Sequence, residues 1–316
     1  MKYGLNSGYG QIMGQFPFST GKIYVVGKDS IANKQMFKEM FKVDTDGVPR
    51  FYTTIDAAIS LCTANANDRI YVMPGHTETL SSATALAADV AGVSIIGVGE
   101  GADRPTITLD TATTTTIPVS AANITFENII FTANFADIVA LFTLTTAKNF
   151  KLEGCYFKAT ASAMNFLNII DTATTVSAAN GLQIIGCKWI EPDTATLSLV
   201  KLDGDNSDIK IADNFLQLGV KNNTAAIMTV IDSSSAFNLQ ILNNIVYRLN
   251  TDTATGAILF HTDQSDNSGI IAGNFVQHAD TAAELLLTAT SGLGVFNNYA
   301  SGVAGASGYI LPAIDS

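Results

Sequence analysis

Apolar and polar residues alternate in short bursts that return along the chain with one grammar. The bursts read Ile124-Thr-Phe126-Glu-Asn128, Phe150-Lys-Leu152-Glu-Gly154, Leu182-Gln-Ile184-Ile-Gly186 and Ile209-Lys-Ile211-Ala-Asp213. They continue as Leu239-Gln-Ile241-Leu-Asn243, Gly269-Ile-Ile271-Ala-Gly273 and Leu293-Gly-Val295-Phe-Asn297. Upstream, Val93-Ser-Ile95-Ile-Gly97 and Ile70-Tyr-Val72-Met-Pro74 fit the frame more loosely. Alternation within a burst predicts a strand. The first positions recur every 23 to 32 residues, about 28 on average, which is the mark of a solenoid. A second apolar run precedes most bursts, as at 139–144, 166–170, 197–202, 227–231, 257–260 and 285–287. The pattern predicts an all-β chain, a right-handed parallel β-helix solenoid of about nine coils. Strands must keep a common spacing in the stack, so the variable period belongs in outward turns such as 171–180 and 250–255.

The position after each turn residue reads Ile129, Cys155, Cys187, Asn214, Asn244, Asn274 and Asn298. Asparagine tolerates a left-handed bend. Stacked asparagine amides also bond to each other, so Asn214, Asn244, Asn274 and Asn298 are predicted to form a structural ladder. Cys155 and Cys187 fall on adjacent rungs, near enough for a disulfide; two buried reduced thiols are the preferred reading. Trp189 shares its frame position with Phe157, Leu216, Val246 and Val276 and is assigned to the core.

A solenoid end exposes a sheet edge and needs a cap. In residues 54–65, Ile55, Ala58, Ile59 and Cys62 line one helical stripe, with Thr53 or Thr54 as N-cap and Asp56 in the first turn. This predicts an N-terminal capping helix over 54–65. Three regions follow: an arm at 1–50, the β-helix at 51–300 and a tail at 301–316. Within the arm, 21–27 reads as a strand and 31–41 as a short helix.

Composition narrows the class. The apolar fraction is 47% and charged residues only 14%, which suits stacked strands with small polar turns. The formal charge is −11, and no basic run offsets it, so nucleic acid is not an expected partner. No apolar run is long enough to span a bilayer, so no membrane is expected either, and the N-terminus lacks the apolar core of a signal peptide.

The stretch Phe51-Tyr-Thr-Thr-Ile-Asp-Ala-Ala-Ile59, followed by Ile70-Tyr-Val-Met-Pro-Gly-His76 and Glu78, resembles the opening of many β-helix proteins. Pectate-lyase-like enzymes and tailed-phage tailspikes share it. With Asp46-Gly-Val-Pro-Arg50 before it, the chain is similar over residues 20–316 to β-helix proteins of tailed-phage virions. That resemblance implies a structural virion protein of a tailed bacteriophage, a decoration or cement protein on the capsid exterior. It implies the major capsid protein or another virion protein as partner. It also implies a homo-oligomer, with a trimer favoured; the many Thr and Ser side chains on a rigid rod suit weak glycan binding.

Fold hosts function without fixing it, so the chemistry rests on particular residues. Glycosidases use paired carboxylates. The stripe Asp203, Asp232 and Asp263 follows the second strand of successive coils, with Asp205, Asp266 and His261 nearby. It is the candidate catalytic or cation site for a tailspike-type polysaccharide depolymerase. The competing reading, a row of solvated turn residues, is preferred because no Arg, Tyr or Trp cluster joins it. His76 is read as structural. Gly97-Val-Gly99-Glu-Gly101 mimics a phosphate loop, but no helix follows it. The expectation is therefore a chain that is not an enzyme, with no catalytic residues, no cofactor and no metal. A depolymerase or a non-catalytic glycan-binding adhesin stands as the alternative.

Overall fold

A computed structural model describes residues 21–28, 47, 50–82, 85–192, 195–219, 226–231, 234–248, 259–262, 264, 266–278, 292–302 and 307–310. Among the described residues, six successive coils contribute a strand to each of three parallel sheets in turn. In one central coil, Thr125–Glu127 lies in sheet 1, Ile130–Ala133 in sheet 2 and Ile138–Leu144 in sheet 3. Sheet 1 has eleven strands, sheet 2 ten and sheet 3 six. Nine sheet-1 strands, from Arg69–Val72 to Leu293–Phe296, bound about eight turns of solenoid. Every pairing along the stack is parallel until the end of sheet 2, where Ser307–Ile310 runs antiparallel to Asn298–Gly302.

The alternation read from the sequence places the core. Phe126, Leu152, Ile184, Ile211 and Ile241 stack in register on the inner side of sheet 1, all fully buried. Phe157, Trp189, Leu216, Val246 and Val276 do the same in sheet 2. Each such side chain contributes about 1.5–3 kcal/mol of burial. In the middle coils the core is aromatic: Phe142 of sheet 3 lies 5.2 Å, centroid to centroid, from each of Phe126, Phe131 and Phe150.

A left-handed residue turns the chain from sheet 1 to sheet 2. It is Asn128, Gly154, Gly186, Asp213, Asn243, Gly273 and Asn297 in successive coils, with φ from 50° to 69°. The bend thus falls one residue before the ladder positions, not on them. The asparagines that follow serve by hydrogen bonding. Asn214, Asn244 and Asn274 each donate from Nδ2 at 2.9 Å to Oδ1 of the next, ending on Asn298. The same Oδ1 atoms accept the backbone N–H of the preceding rung at 2.9–3.1 Å. All four side chains are buried, and their amides are satisfied along the stack. Cys155 and Cys187 continue the column as free, buried thiols.

The N-terminal end differs in three details. Helix α1 spans only Ile55–Ile59, shorter than 54–65. Thr54 is its N-cap, accepting from the Ala57 N–H at 3.3 Å, and Glu78 Oε2 accepts from the Ile55 N–H at 3.0 Å. Ile23–Val26 pairs in parallel with Arg69–Val72, so sheet 1 begins inside the segment assigned to the arm, and 51 is not its boundary. In register, Ile70 stacks on Ile95, so buried Asp68, not Ile70, holds the first frame position of that coil. Its carboxylate accepts from the Lys22 and Thr63 N–H groups at 2.6 and 2.7 Å, tying the first strand to the end of the cap. The candidate helix at 31–41, the run at 285–287 and the turn at 250–255 lie outside the described residues.

Candidate functional site

A cleft of about 730 Å³ opens on the outer side of sheet 1, over its early coils. Two outward rows form its floor. One runs Arg69, Ser94, Thr125, Lys151; the other runs Tyr71, Ile96, Glu127, Glu153. Pro74 and the 97–100 segment form a wall. Glu127 and Glu153 are register partners on adjacent strands, which places them about 4.8 Å apart in the stack. Both fill the frame position just before the left-handed corner.

The two carboxylates have different surroundings. Glu127 is half-buried, with Ile96 stacked on one side and Glu153 on the other. Burial lifts its carboxyl above the ordinary carboxylate range and Glu153 lifts it further, while Lys151 and Arg69 pull it back. Glu153 is more open and pairs with Lys151 Nζ at 2.5 Å.

The wall is fixed from the corner. Asn128 Nδ2 donates to the carbonyls of Gly97 and Gly99 at 2.8 and 2.9 Å. Arg104 Nη1 donates to Gly154 O at 2.9 Å and to Asn128 Oδ1 at 3.4 Å. A Cβ on Gly97 would meet the Asn128 carbonyl oxygen at 2.3 Å, so only glycine allows this approach. The glycine-rich segment at 97–101 is thus a cleft wall, and no phosphate cradle.

The carboxylates anticipated from the sequence lie elsewhere. Asp203 follows a sheet-3 strand; Asp232 and Asp263 lie outside the described residues. Asp203 is joined instead by Asp171, one rung away on the strand Phe166–Thr172, a position the sequence assigned to a turn. Lys201 Nζ lies 2.7 Å from Asp203 Oδ2 and 3.3 Å from Asp171 Oδ1. Burial raises the Asp171 carboxyl; Lys201 opposes this and Asp203 adds to it. Burial lowers the Lys201 ammonium, but its contacts with the two aspartates outweigh that and raise it. Asp205 and Asp266 are turn acceptors, the first for the Ser235 N–H at 2.7 Å and the second for its hydroxyl at 2.5 Å. His76 is fully buried, 3.4 Å from Glu78, beneath the cap.

Burial pushes the Cys187 thiol well up, and Cys155 adds to the shift. Such a thiol is a poor nucleophile. Among the described residues, no group of three or more His, Cys, Asp or Glu side chains is placed to hold a metal ion. No helix among them is long and apolar enough to cross a membrane.

The architecture is that of the right-handed parallel β-helix proteins. The chain is similar to a pectin methylesterase from Aspergillus niger in deglycosylated form, with 14% identity, 95% of this chain and 92% of that one covered, and a TM-score of 0.49. It is also similar to a pectate lyase from a Bacillus species in complex with trigalacturonate, with 14% identity, 98% and 89% covered, and a TM-score of 0.46. A polygalacturonase from Erwinia carotovora matches at 11% identity over 84% and 81%, with a TM-score of 0.38. At these identities and scores the likeness is one of fold. No family model and no curated protein matches the chain. These three are enzymes by their names, and the expectation that this chain is not an enzyme stands corrected against them; what the likeness carries to this chain is the fold.

Proposed function

We propose that this β-helix hydrolyses a glycosidic bond of a polysaccharide, with Glu127 as general acid and base and Glu153 as nucleophile. The observation that carries this reading is the in-register pair at the floor of the cleft. Adjacent strands set the two backbones about 4.8 Å apart, which lets the carboxyl groups reach the spacing of about 5–5.5 Å that serves retention. The raised carboxyl of Glu127 suits it to hold a proton for the leaving oxygen. Glu153 then attacks the anomeric carbon and the glycosidic C–O bond breaks. Water, deprotonated by Glu127, releases the sugar from the Glu153 ester and restores both groups. Arg69 and Lys151 supply positive charge beside the reacting centre, and Arg104 and Asn128 act as positioning residues for the wall.

The pair favours the tailspike-type alternative over a decoration role on the head. The setting this reading carries is a tailed-phage virion, with the chain on its exterior as a homotrimer joined to another virion protein. Support for that setting comes from the residue pattern at 46–59 and 70–78. The test is incubation of the full chain with a panel of capsular and pectic polysaccharides, following reducing ends and the anomer first formed. Release with retained configuration, lost in Glu127→Gln, is expected. An inverted first product, or undiminished release by Glu127→Gln, overturns the assignment.

A further inference from the structure

The outer side of sheet 2 differs from the rest of this acidic chain. From Tyr156 to Tyr299 its first outward row reads Tyr156, Lys188, Phe215, Ile245, Phe275, Tyr299. The second reads Lys158, Ile190, Gln217, Tyr247, Gln277. Neither row holds an aspartate or glutamate, although the chain carries a formal charge of −11. By contrast, Glu127 and Glu153 stand on the outer side of sheet 1 and Asp171 on that of sheet 3.

At the Tyr156 end, aromatic rings and amines alternate over Tyr156, Lys188 and Phe215. Lys188 Nζ lies 5.3 Å from the Tyr156 ring centroid and 5.6 Å from that of Phe215. Lys158 and Arg104 approach Tyr156 at 5.8 and 5.9 Å. Further along, Phe215 and Tyr247 are 5.6 Å apart, and Tyr247 and Phe275 6.1 Å. Lys158 and Lys188 make no ion pair among the described residues. The first row spans five rung spacings of about 4.8 Å, or about 24 Å along the axis, and the second spans four.

We propose that this face binds an extended anionic polysaccharide, laid along the solenoid axis. Ring faces accept the apolar faces of sugar rings. The amines at the Tyr156 end of the face, with no carboxylate in either row, meet acidic groups on the polymer. The face adjoins the cleft, because Arg104 bonds to Gly154, next to Glu153, and also lies over Tyr156. The proposal rests on the glycan reading of the cleft and adds the charge class of the polymer; binding is measured apart from cleavage.

Native electrophoresis of the full-length Glu153→Gln chain, in gels cast with polygalacturonate, alginate or hyaluronate and in gels cast with dextran, tests it. Retardation by at least one polyanion, relieved by salt and absent in dextran, is expected. The double variant Lys158→Gln, Lys188→Gln binds at least about ten-fold more weakly, and Tyr247→Ala weakens binding by a smaller factor, each with an unchanged melting temperature. No retardation by any of the three polyanions, or equal retardation in dextran, overturns the proposal. So does light scattering that shows a self-associated chain dissociated by Phe275→Asp, since a second copy then covers the face. A chain that binds polyanions but cleaves no polysaccharide leaves this inference standing and sinks the hydrolase reading alone.

Discussion

Two carboxylate pairs stand on adjacent rungs of one solenoid, Glu127 with Glu153 on sheet 1 and Asp171 with Asp203 beside sheet 3. Each has a lysine, and the lysines stand differently. Lys201 lies between its two aspartates and reaches both. Lys151 pairs with Glu153. The first pair also has a cleft above it and a wall held in place by Arg104 and Asn128, whereas the second has its charge tied down within the coil. The contrast teaches that paired acids on a β-helix define a site only when the cation leaves one of them available and a cavity lies over it.

The strongest way to break the comparison is to neutralise each pair. Glu127→Gln and Glu153→Gln should each lower polysaccharide cleavage by about 10²–10⁴-fold, measured as reducing ends. Asp171→Asn should leave cleavage within about two-fold of wild type. Equal losses from both pairs would erase the distinction drawn between them.

Removing the cations should have the opposite ranking for stability. Lys201→Met leaves two partly buried carboxylates facing each other and should cost about 1–3 kcal/mol in urea unfolding. Lys151→Met opens a more exposed pair and should cost about 0–1 kcal/mol. The raised Lys201 ammonium gives the sign with pH: its contribution is complete below the ordinary lysine range and is lost as pH rises through the raised value.

A smaller effect sharpens the comparison through protons. The Glu127 carboxyl is raised by burial first and by Glu153 second, so Glu153→Gln should lower its titration point while leaving it above the ordinary range. Carbon NMR of the labelled side chain reads this directly; no change on removing Glu153 would mean that the two carboxylates do not sense each other. The same sign governs stability. A carboxyl raised in the folded state favours folding least once it ionises, so Asp171→Asn should gain stability over wild type near neutral pH. The gain should vanish below the ordinary aspartate range.

Much of the stack was legible because buried positions recur in chemistry as well as in spacing. Phe157, Trp189, Leu216, Val246 and Val276 announce one core row, and four asparagines announce one corner. Two errors came from reading residue types where backbone geometry decided. Asparagine tolerates a left-handed φ, but the residue before it takes the bend, and the ladder side chains bond along the stack. The frame calls for an aliphatic at its first position near the cap, yet Asp68 fills it because two backbone N–H groups point there. The candidate site was missed for a related reason. Phe126-Glu-Asn128 and Leu152-Glu-Gly154 carry glutamates at one frame position, and that coincidence was the available signal. Asp203 follows a strand, where turn chemistry is common, and Asp171 looks like a loop residue although it lies within a long strand. The cleft wall was not legible at all, since it depends on Asn128 and Arg104 meeting glycine carbonyls from other coils.

The recurring corner makes the coil an interchangeable part. Gly154 and Gly186 cross it with nearly the same φ, 59° and 62°, and the residues that follow, Cys155 and Cys187, are alike. A chain spliced from Gly154 directly to Cys187 would present the same backbone bend and the same side chain to the rung below. The molecule would shorten by one rung, and the later ladder would be untouched. Length in this protein is therefore an editable quantity, counted in whole coils, and gene duplication or engineering can reset the reach of the rod without redesigning its interior.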